Sequence, residues 1–253
     1  MLNWYNEIGV GEVINDEPVN TLEAHESTIL SDATHDGGTD FALSNLVNDS
    51  GLSRKLATSA KDIHQLFDII RNFNGCKLKA TATNTVCGEG VLDAEVMFIG
   101  EAPGATEDQE GRPFCGDSGK LLDNMIASIG LSRKTNMFIT NNVYWRPPAN
   151  RPPTKEELNI CLPFLEKMIA LINPKLIILV GGVAAANITG LNYSMAKFRT
   201  SQVEYINQYL EKPIKTFTIF HPAYLLRSPS QKKNAWFDLI SIEEFIKNNN
   251  IRI

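Results

Sequence analysis

Val96-Met97-Phe98-Ile99-Gly100-Glu101-Ala102-Pro103-Gly104-Ala105-Thr106-Glu107-Asp108, running on to Gly111-Arg112-Pro113-Phe114, is the stretch that decides the fold. Its opening run, Val96 to Ile99, is apolar throughout and reads as a buried parallel strand. Small residues then make a turn that carries Glu101, Glu107 and Asp108, and one aromatic, Phe114, follows. Ligands of open α/β sheets bind at the edge where such strands end. Small residues let a ligand approach the backbone, and Phe114 offers it a flat apolar face. Taken alone, the segment also fits an ordinary strand-to-helix turn with solvated acids.

Working outward, three more strand ends repeat the pattern. Met137-Phe138-Ile139-Thr140 leads to Asn141, Leu176-Ile177-Ile178-Leu179-Val180 leads to Gly181-Gly182, and Thr216-Phe217-Thr218-Ile219-Phe220 leads to His221-Pro222-Ala223-Tyr224. Parallel pairing places Glu101, Asn141, Gly181 and His221 on one rim, a convergence of acid, amide and imidazole that packing alone does not explain. Helical patterns separate the strands, as parallel pairing requires. Ile63, Leu66, Phe67, Ile69 and Ile70 fall at helical spacing between Ser59, the expected N-cap, and Phe73. Further helices are expected over 118–129, after Thr154 with its capping-box partner Glu157, and over 231–247. The expected fold is a three-layer α/β/α sandwich around a central, mainly parallel four-stranded sheet.

Charge divides the chain in two. Residues 1–50 hold ten Asp or Glu and no Lys or Arg, whereas residues 51–253 hold 24 basic and 19 acidic side chains. The net charge of −5 thus combines a strongly acidic arm with a mildly basic body, and does not argue against nucleic acid as a partner. Residues 2–10 have the pattern of a short amphipathic helix, and residues 16–50 the composition of a linker. The expected division is an acidic N-terminal extension and linker over 1–58 and a catalytic domain over 59–253. No apolar run approaches the roughly 20 residues of a membrane span. The first residues lack a signal-peptide pattern, so a cytoplasmic location is expected.

Four motifs stand in order: GEAPG at Gly100–Gly104, ED followed by GRPF and a glycine over Glu107–Gly116, Thr140-Asn141 followed by RPPANR at Arg146–Arg151, and HPAYLLR at His221–Arg227. In these the chain resembles the family 4 uracil-DNA glycosylases of the uracil-DNA glycosylase superfamily. The resemblance spans roughly residues 73–245.

The resemblance implies a chemistry. Removing uracil breaks the bond between sugar C1′ and base N1; the sugar becomes oxocarbenium-like and the base an anion. Catalysis needs donors aimed at the departing base and a group that places water at the sugar. By resemblance, His221 hydrogen-bonds the base carbonyl as charge builds. Asn141, whose amide both donates and accepts, reads the polar edge of uracil. Phe114 stacks on the flipped base. Glu101 and the Ala102 backbone line the water and sugar side. Glu107 matches a position near base C5, where it crowds a thymine methyl, and Asp108 braces the turn. Family 1 enzymes carry a water-handling Asp where this chain has Ala102, which shifts weight to anion stabilisation or to Glu107. Leu225, Leu226 and Arg227 are placed to wedge into the duplex gap. Arg227, Lys232 and Lys233, with Arg146 and Arg151 of a proline-stiffened loop, are candidate phosphate contacts.

The cysteines depart from the family. Its members usually hold a [4Fe–4S] cluster through four Cys. Cys76 and Cys161 fall on two ligand positions, but Phe73 and Trp145 occupy the other two. No cofactor or metal is therefore expected, the alternative being a retained [4Fe–4S] cluster. Cys87 and Cys115 lie off the pattern and read as small packed hydrophobes. The implied activity is monofunctional excision of uracil from DNA, leaving an abasic site for base excision repair, by a monomer whose partner is uracil-containing DNA. A glycosylase for other deaminated bases such as hypoxanthine, or a non-catalytic uracil-binding relative, remain alternatives. Residues 146–154 contain no His, so the covalent trapping known in one branch of the superfamily is not expected.

Overall fold

The computed structural model describes residues 50–253. The acidic extension through residue 49, including the expected helix over residues 2–10, lies outside the described residues.

A six-stranded sheet forms the centre, in the order β1-β3-β2-β4-β6-β5. Strands β2 (Val96–Gly100), β3 (Met137–Asn141), β4 (Leu176–Val180) and β6 (Ile214–Ile219) pair in parallel. These are the four strands that the apolar runs mark. Two short strands extend the expected four-stranded sheet: β1 (Glu89–Gly90) on β3 and β5 (Val203–Tyr205) on β6, both antiparallel. At two and three residues, neither is long enough to carry a periodic signal.

Side chains of the central strands alternate between two cores. Met97, Ile99, Phe138, Ile177 and Leu179 meet α1 (Ile63–Asn72), α4 (Lys155–Ile172) and α5 (Gly182–Thr189). Val96, Phe98, Met137, Ile139, Leu176 and Ile178 meet α3 (Asp117–Ala127) and the C-terminal helix Lys232–Asn248 on the other face. Every residue of β2, β3 and β4 is buried. That is why these strands read as continuous apolar runs and not as alternating ones.

The helix starts follow cap chemistry. The Thr154 hydroxyl accepts from Glu157 N while the Glu157 carboxylate accepts from Thr154 N, the expected capping box. At α1 the expectation of Ser59 is corrected. Residues 50–59 form a helix of their own, and the Ser59 hydroxyl donates back to Leu56 O at 2.7 Å. The chain breaks at residues 60–62, and the Asp62 carboxylate caps α1 by accepting from Gln65 N at 2.9 Å. The 50–59 helix joins the core through Ala57, which is fully buried, and through an Arg54–Glu166 ion pair at 2.7 Å. Sequence patterning assigns most of these residues to the linker because the helix offers few apolar positions. Among the described residues, no helix is long and apolar enough to cross a membrane.

Chain order fixes where a site can form. From β2 the chain crosses to β3 on one side, then returns past β2 to β4 on the other. Ligands of open α/β sheets bind in the crevice beyond the carboxyl ends of the strands at such a reversal.

Candidate active site

A cleft of about 450 Å³ opens there, and residues from three strand ends line it: Glu101 to Gly104 after β2, Asn141 at the end of β3, and His221 after β6. Glu107 of the short helix α2 (Ala105–Glu110), Phe114, Arg151 and Arg227 complete the candidates brought together. Patterning missed Ser118, Asn150 and Tyr224, which also line the cleft. Asn150 and Tyr224 stand within the third and fourth motifs, and Ser118 lies just after the second.

Two glycines permit the convergence. A Cβ on Gly100 would collide with the Asn141 Oδ1 and the Phe114 ring. Gly181 has φ +96, and a Cβ there would press on His221 Cβ at 3.2 Å. Amide, ring and imidazole therefore approach one another only because these strand ends carry no side chain. Ring centroids of Phe114 and His221 lie 5.7 Å apart.

Asn141 is 1 % exposed, and neither Nδ2 nor Oδ1 has a hydrogen-bond partner within the protein. A buried amide with both ends unmet costs about 1–3 kcal/mol per group. Its place in the cleft wall makes it complementary to a ligand that offers an acceptor and a donor side by side. The next residue is treated differently. Asn142 is fully buried, donates to Gly100 O at 2.8 Å and accepts from Asn187 Nδ2 at 2.6 Å.

His221 is the N-cap of α7 (Pro222–Arg227), and its Nδ1 accepts from Ala223 N at 3.2 Å. Burial, with the Arg227 charge assisting, pulls its pKa down to about 4 against a smaller opposing pull from Glu107. The imidazole is thus neutral near pH 7. With Nδ1 used as an acceptor, the proton sits on Nε2 and that nitrogen is a donor.

The acids separate by role. Burial raises the Glu101 carboxyl above its usual range. Glu107 is committed to backbone: Oε2 accepts from Gly104 N at 3.1 Å, and Oε1 from Cys115 N and Gly116 N at 3.0 Å each. It lines the cleft while tying its two walls together. Asp108 accepts from Thr83 N at 2.8 Å and Asn84 N at 3.0 Å, so it ties α2 to the distant segment 83–84 and not to its own turn.

The DNA-facing candidates divide as well. Leu225 is fully buried against Phe220 and Ala235, so its expected part in a wedge is corrected: in a short helix, neighbours point in different directions, and Leu225 points into the core. Leu226 is 46 % exposed. Arg227 is exposed and, among the described residues, has no ion-pair partner. Arg151 is held by Glu157 at 2.6 Å and 2.9 Å, while Arg146 bonds Asn150 Oδ1 at 2.8 Å and stands outside the cleft lining.

The cluster positions do not fit an iron–sulfur cube. Cys76 and Cys161 are both buried, and two thiols are too few for a cube that takes four. Phe73 and Trp145, 3 % and 1 % exposed, fill the remaining space with ring centroids 6.4 Å apart, and Phe164 packs edge-on to Phe73 at 5.0 Å. The Trp145 indole N–H is satisfied by Thr85 Oγ1 at 2.9 Å. Among the described residues, no group of three or more His, Cys, Asp or Glu could hold a metal ion.

The model of the Uracil DNA glycosylase superfamily matches residues 87–242. The chain is 43% identical over 173 residues to a type-4 uracil-DNA glycosylase of Sulfurisphaera tokodaii, covering 67% of this chain and 78% of that protein. It is 38% identical over 188 residues to the type-4 enzyme of Archaeoglobus fulgidus, covering 72% and 94%. Identity to the Thermotoga maritima type-4 enzyme is 38% over 181 residues, covering 70% and 91%. Because the match runs through all four parallel strands and every loop that lines the cleft, the chain belongs to the uracil DNA glycosylase superfamily.

Proposed function

We propose that this protein is a monofunctional hydrolase that removes uracil from DNA and leaves an abasic site for base excision repair, acting as a monomer in the cytoplasm. The type-4 relatives support the activity. The observation that carries the site assignment is the buried, unmet amide of Asn141 beside a neutral His221 whose free nitrogen is a donor.

The chemistry follows from these groups. A flipped uracil stacks on Phe114, and its polar edge meets both ends of the Asn141 amide. As the C1′–N1 bond breaks, its electron pair leaves with the base. The His221 Nε2–H lies ready for the carbonyl oxygen on which the charge collects. A fixed donor in a water-poor site stabilises that anion without reorganising. Glu101, its carboxyl raised by burial, is a better proton acceptor than an ordinary carboxylate and is assigned to orient water at C1′. The water oxygen bonds C1′, and its proton passes to the carboxylate and then to the departed base. Glu107 is assigned to holding the walls and limiting space at base C5. Leu226 fills the vacated stack, and Arg227, Lys232, Lys233, Arg146 and Arg151 meet phosphates.

No [4Fe–4S] cluster is part of this reading. The Phe73–Trp145–Phe164 packing replaces it as the link among its surroundings. Purified protein is expected to contain no stoichiometric iron and no cluster absorbance band; stoichiometric iron would refute the ligand assignment.

The activity is tested with a labelled oligonucleotide carrying one uracil, opposite guanine or single-stranded, followed by alkaline cleavage of the abasic site. Wild-type protein is expected to yield the cleaved strand. Intact strand after incubation with folded protein rejects the enzymatic reading.

A further inference from the structure

A buried arginine lies outside the cleft lining. Arg133, in the turn between α3 and β3, is 8 % exposed. Its guanidinium donates from Nη1 to Pro113 O at 2.7 Å and from Nη2 to Phe114 O at 3.0 Å. Nη1 also meets Glu89 Oε2 at 2.9 Å, while Nε and Nη2 meet Asp123 Oδ1 at 3.1 and 2.8 Å. All five N–H donors are thereby used, and two carboxylates offset the charge.

The two carbonyls are not arbitrary. The Pro113 carbonyl belongs to the peptide plane before the Phe114 Cα, and the Phe114 carbonyl to the plane after it. Peptide units are rigid, so a rigid fork that grips both planes fixes φ and ψ of Phe114. That residue needs fixing. Its φ is +51, a left-handed conformation that a phenylalanine rarely adopts and that persists only where the surroundings over-determine it. Two further contacts close the frame. Glu107 holds Cys115 N, in the same plane as the Phe114 carbonyl. A Cβ on Gly119 would strike that carbonyl, so α3 lies directly against it.

We propose that Arg133 is a positioning residue for base stacking: by gripping the carbonyls of Pro113 and Phe114, it holds the Phe114 ring beside His221 at the angle a flipped base requires. The inference rests on the reading of Phe114 as the base platform. A lysine in its place keeps the charge beside Glu89 and Asp123 but cannot bind both carbonyls in one plane.

The test is a double-mutant cycle on kcat/KM for a uracil oligonucleotide, measured well below the Tm of every variant: wild type, Phe114→Ala, Arg133→Lys, and the two combined. Loss of base stacking predicts that Phe114→Ala and Arg133→Lys each lower kcat/KM about tenfold. If Arg133 acts through Phe114, adding Arg133→Lys to Phe114→Ala changes the rate by less than about twofold. Equal losses in both backgrounds would mean that Arg133 acts on the fold at large, and no loss in the wild-type background would mean that it positions nothing. Either result overturns the proposal. If Phe114→Ala itself leaves the rate unchanged, the platform reading fails and the inference falls with it.

Discussion

Replacing His221 by alanine lowers uracil excision by about two orders of magnitude or more, the scale of losing one preorganised donor to an anion. The neutral ring has its Nδ1 tied to Ala223 N, so Nε2–H is the group removed. An unchanged single-turnover rate on the uracil oligonucleotide would remove His221 from the chemistry. The same residue carries a pH signature. Its folded pKa of about 4 lies below the value near 6.5 expected for the unfolded chain. Between those values the unfolded state binds more protons, so stability falls as pH drops from about 6.5 towards 4. The loss approaches ~3 kcal/mol at the bottom of that window. His221→Gln is expected to flatten this part of the stability profile, read from thermal melts across the range. A variant profile as steep as the wild type would mean that His221 is not held neutral by burial.

The second large effect has opposite signs on activity and stability. Asn141→Leu removes a buried amide with neither end paired and substitutes an apolar side chain of similar size. Activity is expected to fall by about two to three orders of magnitude, because a site built to hydrogen-bond its ligand loses the discriminating contact. Stability is expected to rise by ~1 kcal/mol or more as the desolvation cost disappears. Parallel measurement of excision rate and denaturation midpoint checks both. A variant that is less stable, or as active as wild type, would show that the amide is satisfied within the fold and not by substrate.

The parts of the fold legible in the sequence are those that bury both faces. β2, β3 and β4 announce themselves because each of their residues is covered by a helix layer. The capping box at Thr154 is equally local, since its two partners are three residues apart. β1 and β5 are not legible because two or three residues carry no period, and each exists only through pairing with a longer strand. Ser59 fails as a cap for a related reason: a helix boundary between residues 50–59 and α1 leaves no break in polarity, and Asp62 takes the role.

The site follows the same division. Which chemical groups reach the rim could be read from residue order, because parallel strands deliver Glu101, Asn141 and His221 to one edge whatever surrounds them. By the family resemblance, two of four cluster positions are aromatic. What each group can do there depends on packing in three dimensions. The Asn141 amide is unmet because no neighbouring backbone turns towards it, while the adjacent Asn142 amide is fully used. Leu225 is core and Leu226 is surface because α7 rolls one side chain inward and the next outward. Glu107 is bound on both oxygens by backbone from two separate loops. Arg133, with no motif to mark it, grips the peptides on either side of Phe114 from about twenty residues away. Hydrogen-bond partnership and burial are properties of neighbours in space, and neighbours far apart in the chain leave no local pattern to read.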